Sequence, residues 1–312
     1  CKGKKLPVDI SDLVFIIGPR INAAGRIHSG QRAVELLIAK EMEEAYEKSD
    51  VLNEHNDQRK NLDKEITAQA LAMIANNRES ANAKTTVLFN EDWHKGVIGI
   101  VASRVIETYY RPTIMLTGSN GKITGSARSV KDYDVYEAIE KCSDLLEQFG
   151  GHKYAAGLTM KKENLQAFIE KFEKVVSENI TEEILTPKIE IDAEIFLESI
   201  FQKGENSNEI PRFYRILKQM GPFGPGNMNP VFKVNGLIDV GYSKVVGENH
   251  LKLYVCSEKN PDLKLNGIAF GLGHLLEDIQ KKSFSLAFSL EENFWNDKLS
   301  LQLSVKDIKI NE

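Results

Sequence analysis

Two short segments of the sequence combine residue types that bind anions. The first, TGSARS (124–129), has Ser126 and Arg128 two residues apart, so in a strand both side chains lie on the same face. An Arg guanidinium binds two phosphate oxygens through parallel hydrogen bonds, and Ser126 and Ser129 add hydroxyl groups. The segment predicts a phosphate contact, although a solvated edge strand would show the same pattern.

The second segment, EQFGGHKYAAG (147–157), sets His152 among residues with little or no side chain. Gly150 and Gly151 leave their backbone N–H groups accessible, and such groups beside an imidazole suit a phosphate. Two other interpretations remain open: Gly150 caps the C-terminus of the preceding helix, and His152 is structural. We predict that Gly150, Gly151 and His152 contact an anionic ligand.

A third segment, FIIGPRINAAGRIHSG (15–30), places Arg20, Asn22 and Arg26 among small residues. It predicts a hydrophobic strand that ends in a Gly-Pro turn and is followed by a tight loop. The segment has neither the glycine spacing and Gly-Lys pair of a Walker loop nor a dinucleotide-binding fingerprint. In such a loop the three polar side chains could hold a phosphate backbone, or could cap a helix that starts near Ser29.

A fourth segment, NEDWHKGVIGIVASR (90–104), puts Trp93 and His94 between a predicted strand and a helix that begins at about Gly96. A helix N-terminus favours anions, and Trp93 offers a face on which a base can stack. The alternative is that Trp93 covers the seam between two domains.

Neither the cysteines nor the histidines have the spacing of a metal site. The three cysteines are far apart and odd in number, which favours a reduced, cytoplasmic location. They are Cys1, Cys142 and Cys256. The six histidines are equally scattered: His28, His55, His94, His152, His250 and His274. We therefore expect this chain to bind no metal ion by itself.

The elements that position these residues begin with a long helix. Residues 31–82 contain neither Gly nor Pro and are rich in Glu, Lys, Ala and Leu, which predicts a helix with one break. Its second half carries a narrow apolar stripe, which suits a helix that bridges two domains. The stripe consists of Leu62, Ile66, Ala70 and Met73.

Strands and helices then alternate, which predicts an α/β domain. The predicted strands are 85–90, 112–117, 122–128 and 155–160, and the predicted helices are 96–110, 135–149 and 162–179. Asp134 caps the second of these helices, which ends at the Gly150-Gly151 pair. After residues 186–188 short alternating strands with Gly and Asn turns predict an OB-like β-barrel, with a helical insert at about 274–282.

Composition describes a soluble chain without a basic surface. Of its 312 residues 42% are hydrophobic and 27% charged, and no 18-residue apolar run marks a membrane span. The net charge is −5, and only residues 1–37 are net positive, with six basic and three acidic residues. Local clusters and backbone N–H groups must therefore hold any phosphate partner.

Five blocks of the sequence together resemble the RecJ family of single-strand-specific DNA exonucleases. They are IGPRINAAGRI, WHKGVIGIVASR, GSARS, YDVYEAIEKCSDLLEQFGGHKYAAG and MGPFGPGNMNPVF. Their order and spacing match the family over nearly the whole chain. The resemblance implies a phosphodiesterase of the DHH superfamily, whose catalytic domain binds Mn²⁺ or Mg²⁺ to activate water. A connecting helix, a DHH-associated domain and an OB-fold domain follow it.

The departure from the family pattern lies in the catalytic domain. The family's Asp motifs and Asp-His-His block precede the PRINAAGR loop, and this sequence starts just before that loop. The expected fold class is α/β plus all-β. The expected domains are a catalytic-domain remnant (1–37), the connecting helix (38–83), the DHH-associated domain (84–183) and the OB-like domain (184–312). We expect a fragment of a 5′→3′ exonuclease that recognises substrate but is inactive alone.

The family pattern also implies roles for individual residues. Ser126, Arg128 and His152 would contact the 5′ end and nearby phosphates, and Arg20 and Asn22 would line the mouth of the catalytic cleft. In the barrel the resemblance implies single-strand binding, and composition nominates the contacts Tyr242, Lys244, Lys252, Tyr254, Phe270 and Trp295. The expected partners are single-stranded DNA and a single-strand-binding protein or helicase.

Two other functions fit part of the pattern. A smaller DHH phosphodiesterase for oligoribonucleotides or cyclic dinucleotides shares the GGH segment, but such chains usually stop after that domain, and a long β tail follows here. A non-catalytic nucleic-acid-binding module would have no need of the segment DISDLVFIIGPRINAAGRI.

Overall fold

The chain divides into two compact units, Cys1–Pro187 and Lys188–Glu312. The computed structural model describes residues 10–77, 82–201, 210–295 and 298–311. The first nine residues, residues 78–81 of the predicted connecting helix and the side chain of Trp295 lie outside this description. Among the described helices, none is both long and apolar enough to cross a membrane.

The first unit begins with helices. A short helix and a π-helical segment, Leu13–Ile17, lead into three further helices. The four α-helices are α1 (Ile10–Asp12), α2 (Gly18–Ile27), α3 (Gln31–Leu37) and α4 (Met42–Asn76). The prediction of a strand, a Gly-Pro turn and a loop over residues 15–30 is therefore wrong. Pro19 is compatible with the first turn of α2, where its missing N–H has no partner to lose.

The long helix is interrupted once, as expected, between α3 and α4. The buried stripe in the second half of α4 differs from the prediction by one residue, because Met73 is exposed and Ile74 is buried. Together with Ile66 and Ala70, Ile74 packs against the following α/β part. The face of α4 that turns inward is therefore set by i, i+4 spacing.

Five strands form the sheet of the first unit, in the order β1-β2-β3-β5-β4. They are β1 (Thr86–Phe89), β2 (Thr113–Ser119), β3 (Lys122–Arg128), β4 (Gln148–His152) and β5 (Ala155–Met160). The pair β1 and β2 is parallel, and the other neighbours are antiparallel. The accompanying helices are α5 (Ile98–Thr108), α6 (Val135–Glu140), α7 (Leu165–Asn179) and α8 (Glu182–Leu185).

The sheet is covered differently on its two faces because side chains alternate along each strand. On β2, Ile114 and Leu116 pack with α6 and α7, where Phe168 and Phe172 are fully buried. Met115 points to the other face and packs with α5 and α4. The strands of the sheet thus support two separate apolar layers.

One predicted helix is largely wrong. Asp134 does cap α6 by accepting the Glu137 N–H at 3.0 Å, but α6 ends at Glu140. A 3-10 turn follows, and residues 148–152 form β4, which pairs with β5 along its length. Gly150 and Gly151 are therefore strand residues and cap no helix. Long-range pairing with β5 overrides the local helical pattern.

The second unit is a closed β-barrel. Its elements are β6 (Ala193–Glu194), α9 (Arg212–Gln219), β7 (Phe232–Asp239), β8 (Lys244–Val246), β9 (His250–Ser257), β10 (Asn260–Ala269), α10 (Leu276–Ile279), β11 (Phe284–Trp295) and β12 (Lys298–Ile310). Pairing runs β7-β9-β10-β12-β11 and back to β7, with only β10 and β12 parallel among these five. That is OB-fold connectivity, as predicted. Within the segment KIEIDAEI (188–195) only Ala193–Glu194 forms a strand.

Candidate nucleic-acid interface

Strand register brings together the first two segments that were predicted to bind an anion. Arg128 of β3 lies opposite Ala155 of β5, which in turn lies opposite His152 of β4. In the same way Ser126 lies opposite Gly157, and Gly157 opposite Gly150. Residues directly opposite each other in antiparallel strands share a face of the sheet. Two polar side chains of β3 and the imidazole of β4 therefore border a strip of small residues.

The helix α5 covers only part of this face. Its first turn comes so close that a Cβ added to Gly99 would lie 2.8 Å from the Ser126 hydroxyl and 3.0 Å from Arg128 Nη2. Beyond α5, Gly157, Gly150 and His152 are exposed. The N-terminal end of α5, where backbone N–H groups favour anions, thus borders an open strip of sheet. Gly99 was not among the predicted site residues, and its position in the first turn of α5 was the only sequence feature that pointed to it.

Arg128 is a half-buried cation that has no acidic partner among the described residues. Its Nη1 donates to the Ser126 hydroxyl at 3.1 Å and to the Ala127 carbonyl at 2.7 Å. Burial and, after it, the nearby positive charge of Arg26 lower the pKa of Arg128. Among the side chains that the structure describes, neither Arg128 nor Arg26 forms an ion pair with a carboxylate. Two adjacent guanidinium groups lacking counter-ions suit an anionic ligand.

Arg26 reaches this site from the end of α2. Its Nη1 donates to the Gly96 carbonyl at 3.1 Å, and a Cβ on Gly96 would lie 2.1 Å from the Arg26 carbonyl. The loop before α5 therefore packs directly on the end of α2. Arg20 is two turns earlier, where it donates to Asn53 at 2.7 Å and to the Ile16 carbonyl at 2.6 Å. Its guanidinium ties α2 to α4, and Asn22 is exposed.

Trp93 and His94 support the loop rather than present exposed rings. Trp93 is 5% exposed, and its Nε1 donates to Gln69 of α4 at 2.7 Å. It packs among residues of α4 and α5 and lacks the free face that base stacking needs, so the prediction of a stacking ring is wrong. The Nδ1 atom of His94, which is half-buried, accepts the Gly96 N–H at 3.1 Å and so shapes the turn into α5.

The two glycines before His152 differ in their surroundings. A Cβ on Gly151 would lie 2.3 Å from the Ala155 carbonyl, whereas a Cβ on Gly150 would meet nothing within 4 Å. Gly151 is therefore required by the pairing of β4 with β5. No contact within the described structure requires glycine at position 150, and the absence of a side chain there leaves the exposed face of the sheet open.

His152 and Ser129 are held by backbone groups. The Nδ1 atom of His152 accepts the Tyr154 N–H at 3.3 Å, so the neutral ring carries its proton on Nε2, which is left to donate. The Ser129 N–H donates to the Tyr154 carbonyl at 3.1 Å, and its hydroxyl donates to the Tyr133 carbonyl at 2.9 Å. Ser129 thereby fixes the end of the β4–β5 hairpin.

The second unit has a face of aromatic and basic residues that are exposed or half-buried. On β9, His250, Lys252 and Tyr254 alternate with the buried Leu251 and Leu253. His250 was not predicted, although the i, i+2, i+4 alternation with Lys252 and Tyr254 would have revealed it.

Neighbouring strands extend this face. Lys244 of β8 lies opposite Lys252. The rings of Tyr242 and Tyr254 are 6.0 Å apart, and those of His250 and Phe270 are 5.1 Å apart, both pairs edge to face. Tyr242 is 75% exposed and Phe270 66% exposed. Exposed aromatic rings beside two lysines are the combination that single-stranded nucleic acids bind.

Comparison with known protein families finds a matching domain for each of the two units. The DHHA1 domain model matches residues 59–178, and the RecJ OB domain model matches residues 205–307. In both units the chain is similar to the RecJ family. The single-stranded-DNA-specific exonuclease RecJ of Haemophilus influenzae is 34% identical over 96% of this chain and 52% of the relative. The Bacillus subtilis RecJ is 29% identical over 96% of this chain and 37% of that protein.

Solved structures show the same fold, and so confirm the expected class of α/β plus all-β. The crystal structure of Thermus thermophilus RecJ in complex with Mg²⁺ is 27% identical, with a TM-score of 0.78 over 96% of this chain and 44% of that chain. The corresponding Mn²⁺ complex has a TM-score of 0.79. This chain thus spans about half or less of the length of these relatives.

The metal of those RecJ structures has no ligand set in the part of this chain that the structure describes. No three His, Cys, Asp or Glu side chains there lie close enough together to hold an ion. The polar side chains at the β3–β5–β4 site are Arg26, Ser126, Arg128 and His152, and the arginines repel cations. This site fits an anion and does not fit Mn²⁺ or Mg²⁺.

Proposed function

We propose that this chain is the substrate-recognition part of a single-strand-specific 5′→3′ DNA exonuclease. The observation that carries the proposal is the pairing of Arg26 and Arg128, without a carboxylate partner among the described residues, beside the exposed strip that ends at His152. A strand phosphate supplies the negative charge that the two guanidinium groups lack. The relatives named above are exonucleases specific for single-stranded DNA, which supports the choice of substrate.

In this proposal each residue group has a binding role. Arg128, held in place by Ser126, chelates the phosphate at the 5′ end, and Arg26 adds a second cation. The Nε2–H of His152 donates to the same or the next phosphate. Gly150 and Gly157 leave room for the sugar-phosphate backbone. A duplex end would bring a second backbone against this narrow strip, so one strand is preferred.

The barrel contributes a second contact along the strand. The face around Tyr254 and Phe270 offers rings for stacking, and Lys244 and Lys252 offer charge for phosphates. Rival DHH phosphodiesterases without a barrel have no counterpart to this face. We also propose the domain boundaries 1–37, 38–83, 84–183 and 184–312 from the sequence pattern and a cytoplasmic location from the scattered cysteines. A single-strand-binding protein or helicase as partner is proposed on the resemblance alone.

Hydrolysis itself is assigned elsewhere in the full-length enzyme. A divalent metal ion, when bound there, supplies an activated water for attack on the phosphodiester. The residues of this chain bind and orient the strand. We therefore expect the 312-residue chain alone to digest no single-stranded DNA in Mn²⁺ or Mg²⁺, and robust metal-dependent digestion by it would overturn this division of roles.

Binding of 5′-phosphorylated and 5′-hydroxyl oligonucleotides tests the proposal. Arg128→Ala should weaken binding of the phosphorylated strand about 10- to 100-fold, because hydrogen bonds to charged groups are worth about 1.5–3 kcal/mol. Arg128→Lys, which keeps the charge but loses the paired donors, should recover only part of this loss. Fluorescence anisotropy at several salt concentrations provides the measurement, and wild-type affinity should fall as salt rises. Equal losses on both strands would remove Arg128 from the 5′ phosphate.

A further inference from the structure

The hairpin between β4 and β5 turns through two residues, Lys153 and Tyr154, directly beside the strip of small residues that ends at His152. Its backbone is anchored at both positions. The Lys153 carbonyl accepts the Val135 N–H at 3.0 Å, and the Tyr154 carbonyl accepts the Ser129 N–H at 3.1 Å. The Tyr154 N–H in turn donates to His152. The turn is therefore fixed relative to the phosphate-binding side chains.

The two side chains of this turn are exposed on that fixed backbone. Tyr154 is 43% exposed, and Lys153 Nζ lies 5.4 Å from the centre of its ring. Single exposed aromatic residues are common on protein surfaces. The position of Tyr154 sets it apart, because it precedes Ala155, which lies between Arg128 and His152 across the sheet. An aromatic ring and a cation thus stand one residue from the proposed phosphate path.

We propose that Tyr154 stacks on a base of the bound strand, next to the phosphate held by Arg128 and His152, and that Lys153 faces the adjoining backbone phosphate. This inference rests on the proposed function and adds a base contact to a site otherwise built for phosphate and sugar. Stacking on Tyr154 is tolerant of sequence because every base has a π-face. It explains how the first unit can hold the nucleobases of the 5′ end without reading their identity.

The test measures binding of a short 5′-phosphorylated oligothymidylate to the 312-residue chain by fluorescence anisotropy. Tyr154→Ala should weaken binding about tenfold, in the range found for loss of one stacked base, and Tyr154→Phe should stay within about twofold of wild type. Tyr46→Ala is the matched control, because Tyr46 is an exposed tyrosine on α4 and should have no effect. Thermal unfolding of Tyr154→Ala should stay close to wild type, because the ring is 43% exposed and the hydrogen bonds that hold the turn are made by the Tyr154 backbone.

A second arm places an abasic residue at each of the first positions from the 5′ end. Wild type should lose about tenfold in affinity at one position, and Tyr154→Ala should lose nothing further there, since its stacking partner is already gone. Equal abasic losses in both proteins, or wild-type affinity in Tyr154→Ala, would overturn this inference alone. Absence of any single-strand binding by wild type would overturn the proposed function, and this inference with it.

Discussion

Substitution by alanine should change the free energy of unfolding in opposite directions at the adjacent Gly150 and Gly151. In Gly151→Ala the new methyl group would lie 2.3 Å from the Ala155 carbonyl and 2.5 Å from the Ala156 Cα, so β4 and β5 must separate. Overpacking of this kind costs about 1–3 kcal/mol. In Gly150→Ala the methyl group meets nothing within 4 Å. There the loss of unfolded-state freedom should stabilise the chain by about 0.4–1 kcal/mol.

These energies translate into a measurable difference in thermal unfolding. For a unit of this size, 1 kcal/mol shifts Tm by about 2–4 °C. Gly151→Ala should therefore lower the Tm of the first unit by roughly 3–10 °C, and Gly150→Ala should raise it by about 1–3 °C. Circular dichroism of both variants beside wild type provides the comparison.

Affinity for single-stranded DNA provides a second test of the difference between the two glycines. Gly150→Ala should weaken single-strand binding at least about fivefold despite its higher Tm, because the methyl group projects onto the open strip. A Gly151→Ala variant as stable as wild type would refute the close pairing of β4 with β5. A Gly150→Ala variant that binds the strand normally would refute the role of that strip in the site.

The remaining predictions concern other parts of the chain. Asp63→Asn should destabilise the first unit by about 2 kcal/mol in urea unfolding, because the buried carboxylate of Asp63 accepts from Arg104 at 2.8 Å; an unchanged midpoint would contradict this. Phe270→Ala should weaken single-strand binding about tenfold, whereas Phe294→Ala, at a phenylalanine that is 63% exposed on the same unit, should not. Burial raises the pKa of Cys142 to about 11 from 9.0, so its stabilising contribution holds below pH 9 and is lost between pH 9 and 11. Alkylation of Cys142 at pH 8, followed by peptide mass spectrometry, should be slow in the native chain and fast in denaturant.

Local sequence patterns were sufficient to predict a helix or strand where one of its faces is buried. The alternation of residues 250–257 is typical of a strand, and β9 has the same bounds. The spacing of Leu165, Phe168, Phe172 and Val176 predicts the inward face of α7, where all but the half-buried Leu165 are fully buried. The pair Ser126 and Arg128 was likewise predictable, because a shift of the strand by one residue would turn Arg128 into the apolar layer. These features depend on contacts within a few residues of each other.

Other features of the fold depend on contacts with residues far away in the sequence and could not be predicted locally. The helical pattern before Gly150 is overridden by pairing between β4 and β5, and the segment around Pro19 reads equally well as strand or helix until it packs on α4. Trp93 is a plausible stacking ring in sequence, but α4 covers it and bonds its Nε1. No local signal distinguishes these outcomes.

The sequence by itself determined the RecJ resemblance, the order of helix, α/β sheet and barrel, and the residue types that can bind phosphate. Only the tertiary structure decided which of those residues act together. It brings Arg26 from the end of α2 to Arg128 on β3, and leaves Arg20 bonded to α4. The physical reason is that strand register and helix packing bring together residues that are far apart in the chain. The net positive charge of the site arises only when these residues are close in space.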